Sequence, residues 1–494
     1  MEQEILLKEK YGCLGAESVY VKPADQDSVI RIDESKVRSG SQRSNILLFF
    51  KQFFNEVFLP QGYPYTVSDD YWSYQYWDTV QAFCSSICGS LTTHAIMKGV
   101  GVGDTAATPL AAAVTWILKD GTGMTGRIAF AWWKGSRLDA ECKAWRLMAD
   151  VLNDIAMLAE MLLPYVPNYT TIILCASQSA KAIVGVAGGA TRAAITQHQA
   201  IRGNMGDVSA KDGSQETCIN LLASFVGIFL LTTLTNAFCV WALFIVLASC
   251  HIYANYQAVL SLRLISLNTE RMNLILKHYF SSKNEVPTPR EVNAQESIIP
   301  GSGLTTKQLC GFDIYLGCSL QQSLKNRVIS AEELKSMPGK LCCDNFMLLV
   351  DPENCIIRVV FREHESAHDV IQAYFTAVCM AIILSVSKTT RLAHLPDPAM
   401  INKNPGRIMS DVTQPYDFLV CTGKSYSGGI PSEEQIAKVL ESNNEISKAF
   451  KIFMDLLETQ GWKTDRHHFI VDEWRASWPL FRSSDNRSET GKRK

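Results

Sequence analysis

The sequence predicts a mainly α fold: a multi-helix, small-residue-rich, membrane-embedded core followed by a small α+β C-terminal module. Three observations predict it. The stretch from Thr217 to Leu262 contains no Asp, Glu, Lys or Arg. Charged residues make up 19% of the 494-residue chain, below the roughly 25% usual for soluble domains, and the deficit falls between Asn45 and Ile265. Beyond Ser281 the composition turns to Ser, Asn, Pro and Glu, and apolar β-formers follow.

Residues 1–44 form a polar N-terminal segment with one short strand at Ser18–Val21. A helical core spans residues 45–280. Asn45–Phe58 has helical apolar spacing and stops at Pro60. Gly62 and Pro64 mark a turn through Val67. Ser68 then offers an N-cap, with Asp69 and Asp70 at the positive end of the helix dipole. That helix runs to about Lys98 and breaks at Gly99–Asp104. Thr108-Pro109 starts the next, since Pro is tolerated in a first turn. It is expected to end at Lys119, with Gly121 as the stop and Thr122–Gly126 as a second glycine joint. Leu138–Leu163 reads as a strong helix closed by Pro164 and Pro167. Thr170–Gln199 follows, with small residues (Ala176, Gly185, Gly188, Gly189) that permit close helix approach. Arg202–Glu216 is expected to be a polar loop.

The uncharged stretch, with the transmembrane segments expected within 217–262, is too long for one simple span. As a single helix it would reach about 69 Å, at about 1.5 Å per residue, against a hydrocarbon core of about 30 Å. It is therefore either one span near Phe225–Ser249 or a hairpin broken near Thr235 and Asn236. Arg192, Arg202 and Lys211 precede it, and Arg263, Arg271 and Lys277 follow. Positive flanks on both sides favour two spans with cytosolic ends.

Residues 281–306 read as a linker and 307–480 as the α+β domain. There Phe346–Val350 and Ile356–Phe361 form a hairpin across Asp-Pro-Glu-Asn. Ser366 caps a helix to about Ser385, Ser432 starts another to about Gln460, and Phe469–Trp474 returns as a strand. Residues 481–494 are expected to be a disordered tail.

The bulk numbers exclude several classes. A net charge of −2 gives no basic field for nucleic acid. The 15 cysteines are scattered singly, and no CxxC pair is matched by a second. They fit neither a disulfide framework nor a structural zinc site, but buried thiols in a reducing compartment. The N-terminal MEQEILLKEKYGCLG lacks a basic-then-apolar secretory pattern, so an integral protein of an intracellular membrane is expected.

His364-Glu365-Ser366-Ala367-His368 matches HExxH, which needs both histidines one turn apart on a single helix. Ser366 and Asp369 form a capping box that starts the helix between them. A zinc hydrolase is therefore the alternative that this context opposes, and no metal, cofactor or catalytic residue is expected. The candidates for ligand binding or gating are Asp104, Asp120, Arg127, Asp150, Asp154, Lys181 and Arg192. Asp104 closes a glycine loop that lacks the nucleotide-binding pattern. Asp120 and Arg127 flank the second glycine joint, as a charge-paired gate or as two exposed charges. Asp150 and Asp154 share a helix face; they are functional if the helix is embedded and its wet face if it is not. Lys181 and Arg192 suit an anion, or are simply paired.

The segments FLPQGYPYTVSDDYWSYQYWD (58–78), KGVGVGDTAATPLAA (98–112) and ILKDGTGMTGRIAFAWWKG (117–135) resemble the root UVB sensitive (RUS) family. So do WRLMADVLNDIAMLAE (145–160), ATRAAITQHQAIRGNMGDVSAKDGSQET (190–217) and VPTPREVN (286–293). The C-terminal module resembles the animal members more loosely. The resemblance implies a eukaryotic family whose plant members are linked to ultraviolet-B response, vitamin B6 homeostasis and auxin transport, and whose animal members are predicted membrane proteins. It carries no established catalytic residues.

The expectation is a non-enzymatic membrane protein that handles or transports a small solute, vitamin B6-related by the resemblance. A membrane-anchored adaptor or binding protein in vitamin B6 homeostasis is the alternative. Expected partners are the lipid bilayer, a small-molecule ligand, and a protein partner or second family member.

Overall fold

The computed structural model describes residues 4–10, 17–22, 29–33, 53–100, 109–282, 284–324, 332, 342–343, 345–400, 415–426, 431–442 and 444–478. The chain divides into two compact units. One is residues 1–263 with Ile298–Pro300; the other is residues 264–297 and 301–494. Asp104 and the tail expected at 481–494 lie outside the described residues.

The first unit opens with an antiparallel sheet of β1 (Glu4–Lys10), β2 (Glu17–Lys22) and β3 (Ile30–Asp33). The strand expected at Ser18–Val21 is the middle one. Residues 53–58 are helical, and a turn follows in which Gly62 takes a positive φ of 79°, a conformation that costs glycine little.

Among the described residues, six long helices follow: α1 (Tyr71–Gly99), α2 (Pro109–Lys134), α3 (Cys142–Met161), α4 (Thr170–Gln199), α5 (Met205–Thr233) and α6 (Ala237–Ser261). Helix α1 packs on α3, α5 and α6, while α4 packs on α2, α3 and α5. Cys88 and Leu91 of α1, Met157 and Met161 of α3 and Phe244 of α6 close one core. Phe130 of α2, Ala149 of α3 and Ala187 of α4 close another, with Phe130 edge-on to Trp145 at 5.6 Å.

The uncharged stretch is two helices, as the hairpin alternative required. Helix α5 stops at Thr233, and Asn236 caps α6 by accepting the Phe238 N–H at 2.9 Å. Three other expectations fail. Helix α2 does not end at Lys119 but runs through all three glycines to Lys134. Gly123 and Gly126 serve packing rather than a turn, while Gly121 has open space around it. A Cβ at Gly123 would meet Gln178 Cγ at 2.8 Å, and one at Gly126 the Ser179 carbonyl at 3.4 Å. Their absence lets α4 approach, as at small-residue helix contacts in general. Residues from Met205 to Glu216 are not a loop but the first turns of α5, because their charges pair along one face, as described below. Ser68 does not cap α1; Asp70 precedes the helix and makes no capping bond.

The second unit contains α7 (Thr269–Ser281), α8 (Pro289–Gln295), α9 (Thr306–Cys310) and the short β4 (Ser266–Leu267). Residues 281–306 thus differ from a plain linker. Thr288 and Glu291 make a capping box for α8, and Val286, Val292 and Asn293 are buried.

The sheet centres on β8 (Ile356–Arg362). It pairs antiparallel with β7 (Phe346–Asp351), Phe346 opposite Phe361, which is the expected hairpin. It also pairs parallel with β5 (Asp313–Leu316) and β10 (Arg475–Ala476). Short β6 (Cys342–Cys343) extends β7.

Helices α10 (Leu320–Ser323), α11 (Ala367–Ser387), α12 (Pro415–Ser425), α13 (Glu433–Ser442) and α14 (Asn444–Thr459) complete the unit. The single helix expected from Ser432 is therefore two. The expected strand at Phe469–Trp474 is displaced to either side, into β9 (Lys463–His467), which pairs with β4, and β10. Helix α11 is the core: Phe375 stacks on Phe453 of α14 at 5.0 Å, and Tyr374 donates to Asn273 at 2.6 Å.

The capping box of Ser366 and Asp369 forms as read, and α11 begins at Ala367. His364 sits outside the helix with φ 68°, and His368 lies edge-on to Phe450 at 5.1 Å. The two histidines do not share a helix face.

Among the described residues, four helical runs are long and apolar enough to cross a membrane: Pro167–Gln199, Met205–Thr233, Ala237–Ser261 and Ala367–Ser387. In the first three, 22%, 11% and 17% of the most apolar window is buried inside the protein; in the fourth, 94%. Leu221, Phe225, Ile228 and Phe229 make an exposed apolar stripe along α5, at the three- and four-residue spacing of one helix face.

Candidate functional site

The helical unit buries a set of charged and polar side chains and leaves many large apolar side chains exposed. Helix α1 contributes Asp78 and Gln81, α3 contributes Arg146, Asp150 and Asp154, and α6 contributes His251 and Asn255. Within each helix these residues are three or four apart, which aligns them on one face. Because α1, α3 and α6 pack on one another, the three faces meet.

Arg146 Nη2 donates to Asp78 Oδ1 at 2.8 Å. Gln81 Nε2 donates to Asp150 Oδ2 at 2.8 Å and lies 3.2 Å from His251 Nε2. His251 Nδ1 is 2.9 Å from the Asp154 carboxylate. Asn255 Nδ2 donates to Asp150 Oδ2. His251 is fully buried, and Asp150, Asp154 and Asn255 are buried with it. Asn255 Oδ1 is a buried acceptor without a partner, and both Asp154 oxygens face the one His251 Nδ1, Oδ1 also at 2.9 Å. Buried charge is tolerated only when paired, and removing one partner of such a pair typically costs about 3–5 kcal/mol.

Two further clusters tie the helices together. Arg192 of α4 donates to Asp212 at 2.7 Å and to Glu216 at 2.5 Å, both on α5, and Gln75 of α1 donates to Asp212 at 3.1 Å. Lys181 of α4 donates to Glu160 of α3 at 2.6 Å, and Ser177 donates to the same carboxylate at 3.0 Å. Asp212 and Glu216 are one turn apart, so Arg192 gathers both only if this polar segment is helical.

A last cluster sits before α1. Asp70 lies 2.9 Å from His198 Nε2, accepts the Arg263 N–H at 2.6 Å, and accepts from Ser68. Burial alone would raise the Asp70 carboxyl. The hydrogen bond and charge of His198, with the bonds from Ser68 and Arg263, outweigh it and hold the group below the ordinary carboxylate range.

Of the residues singled out in the sequence, Asp150 and Asp154 lie in the central network. Lys181 and Arg192 are each ion-paired with carboxylates of a neighbouring helix. Asp120 and Arg127 are exposed, two turns apart on the unbroken α2; the joint they were to gate is not a joint. Sequence reasoning missed Asp78, Gln81, Arg146, His251 and Asn255. A signal existed for some. Arg146 precedes Asp150 by four, and His251 and Asn255 are four apart in an otherwise apolar helix, which marks one polar face. Among the described residues, no group of three or more His, Cys, Asp or Glu is placed to hold a metal.

Fold and site together define a two-unit protein whose helical unit buries a charged network beneath an apolar exterior. The family model described as the vitamin B6 photo-protection and homoeostasis domain matches residues 48–283. The model described as root UVB sensitive protein, C-terminal, matches residues 285–418 and 422–478. RUS family member 1 of Dictyostelium discoideum is 42% identical over 56% of this chain and 53% of its own length. Protein root UVB sensitive 3 of Arabidopsis thaliana is 33% identical over 67% of this chain and 76% of its own. Protein root UVB sensitive 6 of the same plant is 24% identical over 89% and 81%. The chain thus spans about half of the Dictyostelium relative and about three quarters of the first Arabidopsis one. No solved structure matches. The chain belongs to the root UVB sensitive family.

Proposed function

We propose that the helical unit is embedded in an intracellular membrane and carries a small polar solute across it through the network of α1, α3 and α6. One observation supports this most: charges buried and paired inside helices whose outer faces are apolar and uncovered. In water such surface is unfavourable at about 25 cal/mol per Å², whereas in lipid it is matched. Ionisable groups inside a membrane unit are costly, and where they persist they mark pathways and sites. Vitamin B6 compounds are the first solutes to test, because the family model over this unit carries that description.

The purified full-length chain in liposomes should accumulate at least one of pyridoxine, pyridoxal, pyridoxamine or their phosphates above protein-free vesicles. Asp150→Asn should reduce that uptake by at least about tenfold, equivalent to about 1.4 kcal/mol. Absence of uptake for all of them, with protein shown to be folded and inserted, contradicts the transport reading.

A second reading is a membrane-anchored binding protein of vitamin B6 homeostasis. It is favoured by α2, which packs chiefly on α4, meets α3 through Phe130, and exposes Asp120, Arg127, Trp132 and Trp133. Vitamer binding to the chain in detergent without uptake in liposomes selects it.

A further inference from the structure

We propose that His251, with Asp154 and Asp150, is a proton-binding site, and that Gln81 is the element that responds to the proton. The inference rests on the transport reading only for the claim that solute movement is coupled to that proton.

The ligand follows from space and charge. His251 is fully buried, with Asp150 and Asp154 packed around it from α3 and Gln81 from α1. A proton is the one coupling ion that needs no cavity. Three carboxylates meet here: Asp78, Asp150 and Asp154. Arg146 engages Asp78 directly. Asp150 is left with the amides of Gln81 and Asn255, and with His251 Nε2 at 3.9 Å. Asp154 is left with His251 alone as a hydrogen-bond partner among the described residues. Tyr74, Cys84 and Cys88 of α1 are further titratable groups facing this layer, and none adds a positive charge.

The hydrogen bonds define one protonation state and point to another. With His251 neutral, Nδ1–H donates to Asp154 and bare Nε2 accepts from the Gln81 amide nitrogen, which also donates to Asp150. This arrangement leaves Asn255 Oδ1 as an unpartnered acceptor and gives both Asp154 oxygens a single donor, His251 Nδ1, in residues more than nine-tenths buried. The layer is short of a donor, and buried acceptors left unmade are costly.

A proton taken from water onto Nε2 adds one donor to the layer. It also sets Nε2–H against the Gln81 NH₂, two donors face to face. The amide must then turn so that its oxygen accepts from His251, which breaks its bond to Asp150. Loss of the proton to water restores the first state. One proton thus changes contacts among α1, α3 and α6 together, which a proton-coupled carrier requires.

The test uses the full-length chain in nanodiscs. pH-difference infrared spectra should show a histidine band titrating together with a buried-carboxylate band. In His251→Gln both should disappear. In Asp154→Asn the histidine midpoint should move by at least about one pH unit, as expected when an adjacent charge is removed. The same bands and midpoint in wild type and both variants would overturn the proposal. Should neither variant fold, wild type with ¹⁵N-labelled histidine rings decides. A solvent-protected histidine that changes protonation between about pH 5 and 8 upholds the proposal, and the absence of one overturns it.

Coupling is tested separately. Vitamer uptake unchanged both by collapsing the pH gradient and by His251→Gln removes the coupling and leaves transport standing. A positive titration without uptake of any vitamer removes transport and leaves the proton site.

Discussion

Helices α6 and α11 make an instructive pair. Both are long, uninterrupted and strongly apolar, and each qualifies as a membrane span by length and composition. Yet 94% of the most apolar stretch of α11 is buried, against only 17% of that of α6. Helix α11 is wrapped by a sheet and by α12 and α14, with Phe375, Ile382 and Leu384 all fully buried. Helix α6 has one face on α1 and α3, which takes His251 and Asn255, and leaves Phe238, Ile245 and Val246 uncovered. Apolarity alone therefore does not say what solvent a helix meets; the distribution of its polar residues does. A helix that turns its few polar groups inward and its apolar groups outward is built for lipid. A helix that is apolar all round, inside a domain with charged surfaces, is built for a core.

The largest expected difference is in packing. Phe375→Ala on α11 should lower the stability of the second unit by about 3–5 kcal/mol, read by chemical denaturation. An effect below about 1 kcal/mol would break the contrast, because α11 would then not be the core helix. Next comes a charge on the open face. Ile245→Arg on α6 should penalise insertion by about 2.5–3.5 kcal/mol, seen as a larger fraction removed from membranes by alkaline carbonate. An unchanged fraction would mean that this face does not meet lipid.

The smallest effect is the acid response of the end cluster outside the spans. The folded Asp70 carboxyl is held below its unfolded range. Its contribution to stability is therefore complete above the unfolded value and is lost as pH falls through the folded one. Wild type should be more stable than Asp70→Asn at pH 7, and the gap in melting temperature should close below about pH 4. A gap independent of pH would show that the Asp70 charge contributes nothing.

Sequence legibility followed the same divide. Helix ends set by local chemistry were readable: Pro109 opens α2, Thr170 and Gln199 bound α4, Ser366 with Asp369 caps α11, and Asn236 breaks the uncharged stretch. Features set by a neighbouring helix were not. Gly121, Gly123 and Gly126 carry a turn composition, but α4 lies where side chains at Gly123 and Gly126 would be, and the helix continues through all three. The polar run before Thr217 has a loop composition, but Arg192 gathers Asp212 and Glu216 from successive turns. The candidate site divides likewise. Asp150 and Asp154 were visible as an i,i+4 pair on one helix. Their partners Gln81 and His251 lie on helices far apart in sequence, and only packing brings them together.

The most direct test of the central claim asks each helix what surrounds it. Native membranes containing the full-length chain would be irradiated with a phospholipid carrying a photoreactive diazirine in its acyl chain, and the labelled peptides mapped. The account predicts labelling of α5 and α6, on Phe225, Phe229, Ile245 and Val246, and none on α11. Labelling of α11, or its absence from both α5 and α6, would contradict it.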